Sequence, residues 1–541
     1  MAGPMYQRST LSALTSLALL FAGCTGQLAS GSDAGMATPD AASILPSDGG
    51  LAPADAARPD AAAPLDAGSS PLIDAGPAAT GETPLAGDVQ VDEVAIFQGV
   101  KITLAEAGGA VAAGTRNAPV VGGRDGLFRI YARGATRSLT AEVRVTRAGE
   151  TRVFSDTRTL RQPSVDEDPG STFEVEVPGD WLTSTSRWSV AIVEPGGVMT
   201  PDGTPSDARF PRLGGDEPLE AIDDPGGFRL MIVPFSWESD GSGRLPDTSP
   251  AQVELLRDYF GAIFPYASIE IEVHDVLAWT GGLTWTGNVD FGDVNSRLVS
   301  LRAEEGAPAD VYYYGLVAPA TSRSAYCGRS CVTGQAFVVG DPDDARIRVG
   351  SGLGFSGERT AGTLQHELGH IHGRGHAPCG ATRGIDPSYP YSDGRTGVWG
   401  YDRIERTYHP PDAPDLMGYC DDRWISDYNY EGIFERHLAI HRLTRASAVD
   451  LQGPELLSFV RVDGDGRTTR LRDVMMALPR SGRTWIEWIS SAGRSIAWDE
   501  AARLELSHAE DKLLLLPQAP EGAIAFRLAG GELTRVPDAL R

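Results

Sequence analysis

Four of the chain's nine histidines fall in one short window, His-Glu-Leu-Gly-His-Ile-His-Gly-Arg-Gly-His, which runs from His366 to His376. His366 and His370 are four positions apart, so on a helix they lie on one face, close enough to hold one metal ion. Glu367 stands next to the first of them, where its carboxylate reaches a metal-bound water without binding the metal. This pattern predicts a zinc site that activates water for hydrolysis.

A third ligand follows the helix. Gly373 is placed to end it, because glycine readily takes the left-handed conformation found at helix C-termini. The chain then turns back and brings His376 to the metal. Three protein ligands leave the fourth position of a tetrahedral zinc for water, which is the arrangement of a catalytic zinc site. Zinc would lower the pKa of that water and Glu367 would accept its proton. His372 is predicted to be a packing or surface residue and not a ligand.

The complete HExxHxxGxxH pattern resembles the signature of the metzincin zinc peptidases. The resemblance implies a Zn²⁺ cofactor, a protein or peptide substrate, and Glu367 as the general base. It also implies a methionine turn beneath the metal, and Met417 in Asp415-Leu416-Met417-Gly418-Tyr419 is the candidate. Tyr419 resembles the tyrosine that astacins and serralysins place near zinc, and both a catalytic role and plain packing are open for it. The resemblance covers roughly residues 228–443.

Two other functions are compatible with these residues. The chain could be a surface adhesin or binding lipoprotein whose protease fold is inactive. It could also be a zinc amidase that acts on a non-protein amide, since the same chemistry serves both substrates. The intact glutamate, ligands and methionine turn favour a zinc endopeptidase over the binding protein.

The first residues have the features of an export signal. Arg8 provides a positive charge, Leu11 to Phe21 is an apolar run, and Ala22-Gly23-Cys24 provides small residues before a cysteine. This ending resembles a bacterial lipobox, which implies cleavage after residue 23 and lipidation of Cys24. The resemblance implies a protein anchored by lipid at the bacterial outer membrane or cell surface. An ordinary secretory signal followed by release is the alternative.

The five cysteines agree with export. Lipidation of Cys24 leaves four, an even number suited to disulfides in an oxidising compartment. Cys327 and Cys331 are close enough to pair across a Gly-Arg-Ser turn, whereas a second metal site there lacks two further ligands. If the fold resembles a metzincin, Cys379 and Cys420 are neighbours under the active site, and a bridge between them is implied.

Composition and periodicity predict a multidomain chain. Residues 24–87 are dominated by Ala, Pro, Asp, Gly and Ser, which predicts a disordered, extended stalk after the signal peptide of residues 1–23. Alternating apolar residues over 88–213 predict a β-sandwich, and residues 454–541 a small β-rich domain. Strands alternating with helices over 226–446 predict an α/β (α+β) metzincin-like catalytic domain between them.

Local signals within the catalytic region predict how it begins and where its sheet ends. Phe228 to Phe235 predicts a buried strand. Ser249 is predicted to cap a helix, with Pro250 in the first turn and Gln252 completing a capping box. Gln335 to Val339 predicts an edge strand before the zinc-binding helix, and in metzincins this edge binds the substrate main chain by strand addition.

A net charge of −26 argues against nucleic acid as a partner, because phosphates would be repelled. It agrees with a soluble head that acts on basic or neutral protein substrates.

Overall fold

A computed structural model describes residues 82–537, apart from residues 162, 285–286, 329–330, 382, 447–452, 509–510, 529–530 and 532. The predicted signal peptide, Cys24 and most of the predicted stalk lie outside the described residues. Among the helices that are described, none is both long enough and apolar enough to cross a membrane.

The N-terminal part consists mainly of two antiparallel sheets. Its strands are β1 (Glu82–Leu85), β2 (Val89–Phe97), β3 (Lys101–Glu106), β4 (Gly109–Ala110), β5 (Val121–Gly122), β6 (Gly126–Gly134), β7 (Ser138–Arg147), β8 (Glu150–Thr159), β9 (Phe173–Val177), β10 (Arg187–Val193), β11 (Val198–Pro201), β12 (Arg209–Phe210), β13 (Glu217–Pro218) and β14 (Ile222–Asp223). One sheet has the order β11-β1-β10-β7-β8, with β12 and β13 also paired to β10, and the other has the order β4-β3-β2-β6-β9. The alternating apolar residues of β7 are all buried, as a strand with one face on the core requires.

Two predicted boundaries of this part are wrong. The stalk was predicted to reach residue 87, but β1 at residues 82–85 pairs with β10 and β11. The β-sandwich was predicted to end at residue 213, but β13 pairs with β10 and β14 pairs in parallel with β5. Both errors have one cause, since short strands with little periodicity of their own are recruited by the longer strands beside them.

The central part, which contains the histidine window, combines helices with a mixed sheet. Its helices are α1 (Pro250–Ile263), α2 (Phe291–Glu305), α3 (Arg323–Cys327), α4 (Glu358–Ile371) and α5 (Asp427–Ala446). Its strands are β15 (Phe228–Trp237), β16 (Ile269–Val273), β17 (Leu277–Trp279), β18 (Val311–Val317), β19 (Gly334–Ala336), β20 (Val349–Leu353), β21 (Gly400–Asp402) and β22 (Thr407–His409). The main sheet has the order β16-β15-β18-β20-β19, with β17 also paired to β15. All pairs in it are parallel except β19 with β20, so β19 is an antiparallel edge. The metzincin fold itself stays a prediction.

The start of α1 confirms one local prediction and corrects another. The Ser249 hydroxyl accepts a hydrogen bond from the Gln252 N–H, and Pro250 lies in the first turn. Gln252 does not complete a capping box. Its side chain instead exchanges two hydrogen bonds with the backbone of Gly357, the residue before α4. Gln252 therefore connects the start of α1 to the start of α4. The local pattern did not predict this long-range contact.

The C-terminal part is a seven-stranded antiparallel sheet. Its strands are β23 (Glu455–Val462), β24 (Thr468–Met476), β25 (Arg483–Ser490), β26 (Ser495–Leu504), β27 (Lys512–Pro517), β28 (Ala523–Leu528) and β29 (Leu533–Arg535), in the order β24-β23-β27-β26-β25-β28-β29. One face packs against the central part, since Leu457 and Phe459 belong to the same buried cluster as the residues of α2 and β18. Arg472 on β24 also donates a hydrogen bond to Asp293 on α2 at 2.7 Å. The sheet is therefore firmly docked beside the histidine window.

Candidate metal centre

Helix α4 carries the first two predicted ligands. His366 and His370 lie one turn apart on it, and both are buried together with Glu367. Leu364 and Leu368, on another side of the helix, are fully buried in the core. The apolar residues thus hold α4 in place and direct the imidazoles into the protein.

His376 reaches the same point from the loop that follows α4. Gly373 ends the helix with a φ of 82°, which confirms its predicted role. The loop then holds His376 by two backbone hydrogen bonds: its N–H donates to the carbonyl of Gly384 at 2.8 Å, and its carbonyl accepts from the N–H of Asp386 at 2.9 Å. The third imidazole is therefore positioned by backbone as rigidly as the two on the helix.

The spacing of the three imidazoles fits a zinc ion. Nε2 of His370 lies 3.2 Å from Nε2 of His366 and 3.1 Å from Nε2 of His376. In a tetrahedral site with zinc–nitrogen distances of about 2.0–2.1 Å, the ligand nitrogens are about 3.3–3.4 Å apart. The donor set is also the one expected for a catalytic zinc. The residues present therefore fit the metal with almost no rearrangement.

Backbone carbonyls orient the three rings through their other nitrogens. The Nδ1 atoms of His366, His370 and His376 are hydrogen-bonded to the carbonyls of Leu416 at 2.9 Å, Arg374 at 2.8 Å and Arg383 at 2.7 Å. A proton on Nδ1 leaves Nε2 free to bind metal. Burial lowers the pKa of all three imidazoles. They are therefore neutral near pH 7, which is the state that binds zinc.

Met417 lies directly beneath α4. Its side chain is fully buried, and a Cβ atom at Gly369 would come within 2.2 Å of its sulfur. The turn is held by Asp415, whose carboxylate accepts hydrogen bonds from the N–H of Met417 at 2.7 Å and from the amide of Asn429 at 2.7 Å. A thioether therefore lies against α4 beside the histidine cluster, and its role as a metzincin-like methionine turn stays a prediction.

Tyr419 reaches the centre from the same turn. Its hydroxyl lies 2.9 Å from Nε2 of His376. Burial, together with the charge of Glu367, raises the pKa of this phenol, so it stays protonated and can donate a hydrogen bond. Its position agrees with the catalytic alternative, although the residue remains 44% exposed.

Both predicted disulfides are present. Cys379–Cys420 joins the loop after His376 to the residue that follows Tyr419. The N–H of Tyr419 also donates to the carbonyl of Cys379 at 2.7 Å. Cys327–Cys331 closes a short loop at the end of α3. The two bridges indicate an extracellular or otherwise oxidising environment.

His372 is a packing residue, as predicted. It is buried, its ring is stacked on that of Tyr312 with centroids 4.7 Å apart, and Nε2 lies 2.5 Å from the hydroxyl of Tyr266. Burial lowers its pKa to about 3. It faces the aromatic core and takes no part in the metal centre.

Two residues that the sequence reasoning missed complete the centre. The hydroxyl of Ser507 donates to Oε2 of Glu367 at 2.9 Å, and Nε2 of His508 lies 3.0 Å from Oε1 of the same carboxylate. One nitrogen from each of His366, His370, His376 and His508 lies within 4.8 Å of the other three.

Only a weak signal for these residues exists in the sequence. His508 is the one histidine that follows His441, in a region otherwise typical of a β domain. No spacing relates it to the distant HExxH window, so only the tertiary structure brings them together.

One comparison with known proteins supports a peptidase. The sequence model of the Peptidase M66 family matches residues 346–421, which include α4, the three histidines and the methionine turn. A comparison with curated proteins found no match. The family match supports a peptidase, and the buried histidine cluster is compatible with a metal in its active site.

Proposed function

We propose that this chain is an exported zinc endopeptidase that hydrolyses peptide bonds in protein substrates. The observation that carries the proposal is the convergence of three neutral imidazoles beside the Glu367 carboxylate, within the segment that resembles a peptidase family. His366, His370 and His376 would hold the metal. When bound, zinc would polarise the scissile carbonyl and lower the pKa of the attacking water.

The chain's own residues account for the proton transfers. Glu367 is buried and adjoins the ligand cluster, so its carboxylate can accept a proton from the attacking water. The same group can then deliver that proton to the amine that leaves. Tyr419, with its protonated hydroxyl close to His376, is placed to donate a hydrogen bond to the carbonyl oxygen as charge develops there.

The sheet edge next to the metal is suited to hold a peptide. Strand β19 is the edge of the central sheet, and an extended chain can add to such an edge by main-chain hydrogen bonds. A Cβ atom at Gly334 would come within 3.0 Å of the side chain of Glu367. A peptide lying along β19 would therefore pass directly beside the general base.

Replacement of the general base tests the proposal. Glu367→Gln should lower the rate of casein hydrolysis by about 100- to 10,000-fold, because the amide cannot accept the proton. Zinc content should stay at one ion per chain, since the three ligands are untouched. Glu358→Gln, an exposed glutamate at the start of the same helix, is the matched control and should cleave casein like the wild type. Casein hydrolysis at the wild-type rate by Glu367→Gln would contradict the mechanism.

Inhibition separates a peptidase from a protein that only binds its target. A hydroxamate or a metal chelator should stop casein hydrolysis, because a hydroxamate binds the metal in the site and a chelator removes it. If zinc-loaded protein, including the variants described below, cleaves neither casein nor a peptide library, the endopeptidase proposal is wrong.

A further inference from the structure

The segment Glu505–His508 of the C-terminal part lies along the edge of the central sheet that ends with β19. The N–H of Val338 donates to the carbonyl of Glu505 at 3.0 Å, and the N–H of Ser507 donates to the carbonyl of Ala336 at 2.9 Å. Leu506 and Phe337 form an antiparallel bridge between these two bonds. The segment therefore adds a short extra strand to the edge at β19.

Side chains strengthen this pairing. The amide of Gln335 donates to the carbonyl of Ser507 at 2.8 Å, and the N–H of Ala336 donates to the hydroxyl of Ser507 at 2.9 Å. Ser507 is only 3% exposed. These are interactions of the kind that a bound peptide makes with a sheet edge.

The same segment engages both catalytic groups. One oxygen of Glu367 accepts a hydrogen bond from Ser507 and the other lies 3.0 Å from His508. The second nitrogen of His508, Nδ1, is hydrogen-bonded to the hydroxyl of Tyr419. Neither the proposed base nor the proposed hydrogen-bond donor is therefore available to a substrate in this conformation.

His508 also covers the ligand cluster itself. Its ring centroid lies 5.3 Å from that of His366, 5.5 Å from that of His370 and 5.0 Å from that of His376. Its backbone has a φ of 61°, a left-handed conformation that is uncommon for residues other than glycine. Such a conformation persists only where the surroundings hold it, and here it turns the imidazole towards the three ligands.

We propose that Glu505–His508 is a built-in occupant of the substrate site in a latent enzyme, and that one imidazole nitrogen of His508 releases its hydrogen bond when the metal is bound and becomes a fourth metal ligand. The proposal rests on the zinc-peptidase function proposed above. A substrate peptide and this segment need the same sheet edge, the same carboxylate and the same open side of the metal, so they exclude one another. A substrate can therefore bind only to those molecules in which the C-terminal part has moved away or been cut, and the wild type keeps a reduced activity.

The docking of the C-terminal part explains how a segment as short as Glu505–His508 can keep the substrate site occupied. Asp344 accepts hydrogen bonds from the N–H groups of Arg480 at 2.6 Å and Ser481 at 2.9 Å, and Arg472 is paired with Asp293. Contacts outside the metal site thus keep the segment beside its target. Tethering gives an intramolecular ligand a high effective concentration, so weak contacts in the site are enough to keep it occupied.

Probe binding and metal spectroscopy test this inference without relying on turnover. A fluorescent peptide hydroxamate should bind zinc-loaded His508→Ala roughly tenfold or more tightly than the wild type, because a smaller share of the variant is occluded. With cobalt in place of zinc, His508→Ala should change the visible absorption, because a water would replace an imidazole. Lys512→Ala, at an exposed position of β27, is the matched control and should behave like the wild type in both measurements.

A second variant guards against a local folding defect at position 508. Arg472→Ala loosens the docking on α2 without touching the metal site, and it should also bind the probe more tightly than the wild type. Unchanged probe affinity and an unchanged cobalt spectrum in His508→Ala would overturn the proposal. It would also be overturned if His508→Ala lost peptide cleavage while binding the probe like the wild type, because His508 would then be a catalytic residue.

The outcomes separate this inference from the proposed function. If removal of the His508 imidazole opens the site to the probe but no variant cleaves any peptide, the occluding segment stands and the peptidase function is wrong. If Glu367→Gln abolishes cleavage but His508→Ala leaves probe binding and spectrum unchanged, the function stands and the latent state is wrong.

Discussion

Backbone carbonyls orient the imidazoles of the candidate metal centre. Each ligand imidazole is oriented by a carbonyl, and the carbonyl that orients His366 belongs to Leu416 in the methionine turn. Met417, the next residue, presses its sulfur against Gly369 on α4. The close packing of α4 on the methionine turn therefore requires glycine at position 369, because any larger residue would separate the two elements.

Two glycines of α4 provide a matched test of this contact. Gly369→Ala should destabilise the protein by about 1–3 kcal/mol, because the new methyl group would overlap the Met417 sulfur. Gly362→Ala should be neutral or stabilising by up to about 1 kcal/mol, because its Cβ would meet nothing closer than 3.9 Å and alanine favours a helix. Urea unfolding and zinc content of both variants check the prediction. Equal stability of the two variants would contradict it.

Disulfides and hydrogen bonds connect elements from different parts of the chain around the site. The Cys379–Cys420 bridge connects the loop after the third ligand to the methionine turn, whereas Cys327–Cys331 closes a loop of only four positions. The segment before β15 is held to α5, because Asp224 accepts a hydrogen bond from His437 at 2.8 Å. Such links stabilise the arrangement of helices and loops more than any one helix.

The two disulfides should differ in their effect on stability. A bridge that spans 41 positions lowers the conformational entropy of the unfolded chain more than one that spans 4. The resulting stabilisation is about 4 kcal/mol for the long loop and about 2 kcal/mol for the short one. Cys379→Ser with Cys420→Ser should therefore lower the free energy of unfolding more than Cys327→Ser with Cys331→Ser. Zinc affinity should fall only in the first pair, because only that bridge adjoins the ligands. Equal losses in urea unfolding and in zinc titration would contradict this ranking.

Asp224 makes stability depend on pH in the acid range. Burial alone would raise its pKa, but hydrogen bonds from His437 and from backbone N–H groups lower it from 3.8 to about 2. A carboxyl with a lowered pKa in the folded state stabilises the protein fully above its unfolded value, and this contribution is lost as pH falls through the folded value.

Asp224→Asn should therefore lower the free energy of unfolding by about 2 kcal/mol at pH 7. The difference from the wild type should persist down to about pH 4 and shrink below it, as the wild-type carboxyl becomes protonated. Urea unfolding at a series of pH values measures this difference. A difference that stayed constant between pH 4 and pH 2 would show that the charge of Asp224 is not responsible.

On the scale of the whole molecule, the central part is enclosed from two sides. The N-terminal sheets contact it through buried polar groups, since the indole of Trp424 donates to the carbonyl of Gly99 at 2.7 Å and Arg124 donates to the carbonyls of Ala262 and Tyr266. On the other side, the C-terminal sheet supplies Ser507 and His508. The flanking parts therefore position the central part and, in the proposal above, regulate it.

Location is the remaining prediction at this scale. Cys24, outside the described residues, is predicted to carry the lipid that anchors the chain to the bacterial outer membrane, with residues 24–81 forming most of the stalk. Cys24→Ser should move the protein from the membrane fraction to the soluble fraction and remove incorporation of labelled palmitate. Wild-type protein found free in the medium, or a variant that still sediments with membranes, would contradict lipid anchoring.

Much of the candidate site follows from short-range patterns. His366, Glu367 and His370 are related by helix periodicity, and Gly373 ends the helix because the required backbone conformation favours glycine. The cap at Ser249 is equally local. By contrast, the partner of Gln252 was misjudged, because its side chain bonds with Gly357 more than a hundred positions away. Local sequence patterns predict contacts between residues that are close along the chain, but they do not predict contacts between residues that are far apart in sequence.

The sequence by itself predicted the chemistry proposed for this protein, namely the three candidate metal ligands, the adjoining candidate base and the methionine turn, and it predicted the cysteines that form the two bridges. Those features depend on fixed spacings and on residue types that only a few reactions need. Only the tertiary structure decided that Ser507 and His508 lie against Glu367, because their approach depends on how the C-terminal sheet docks on α2 and β19. Docking is the sum of many weak contacts spread over the chain, and no local pattern encodes it.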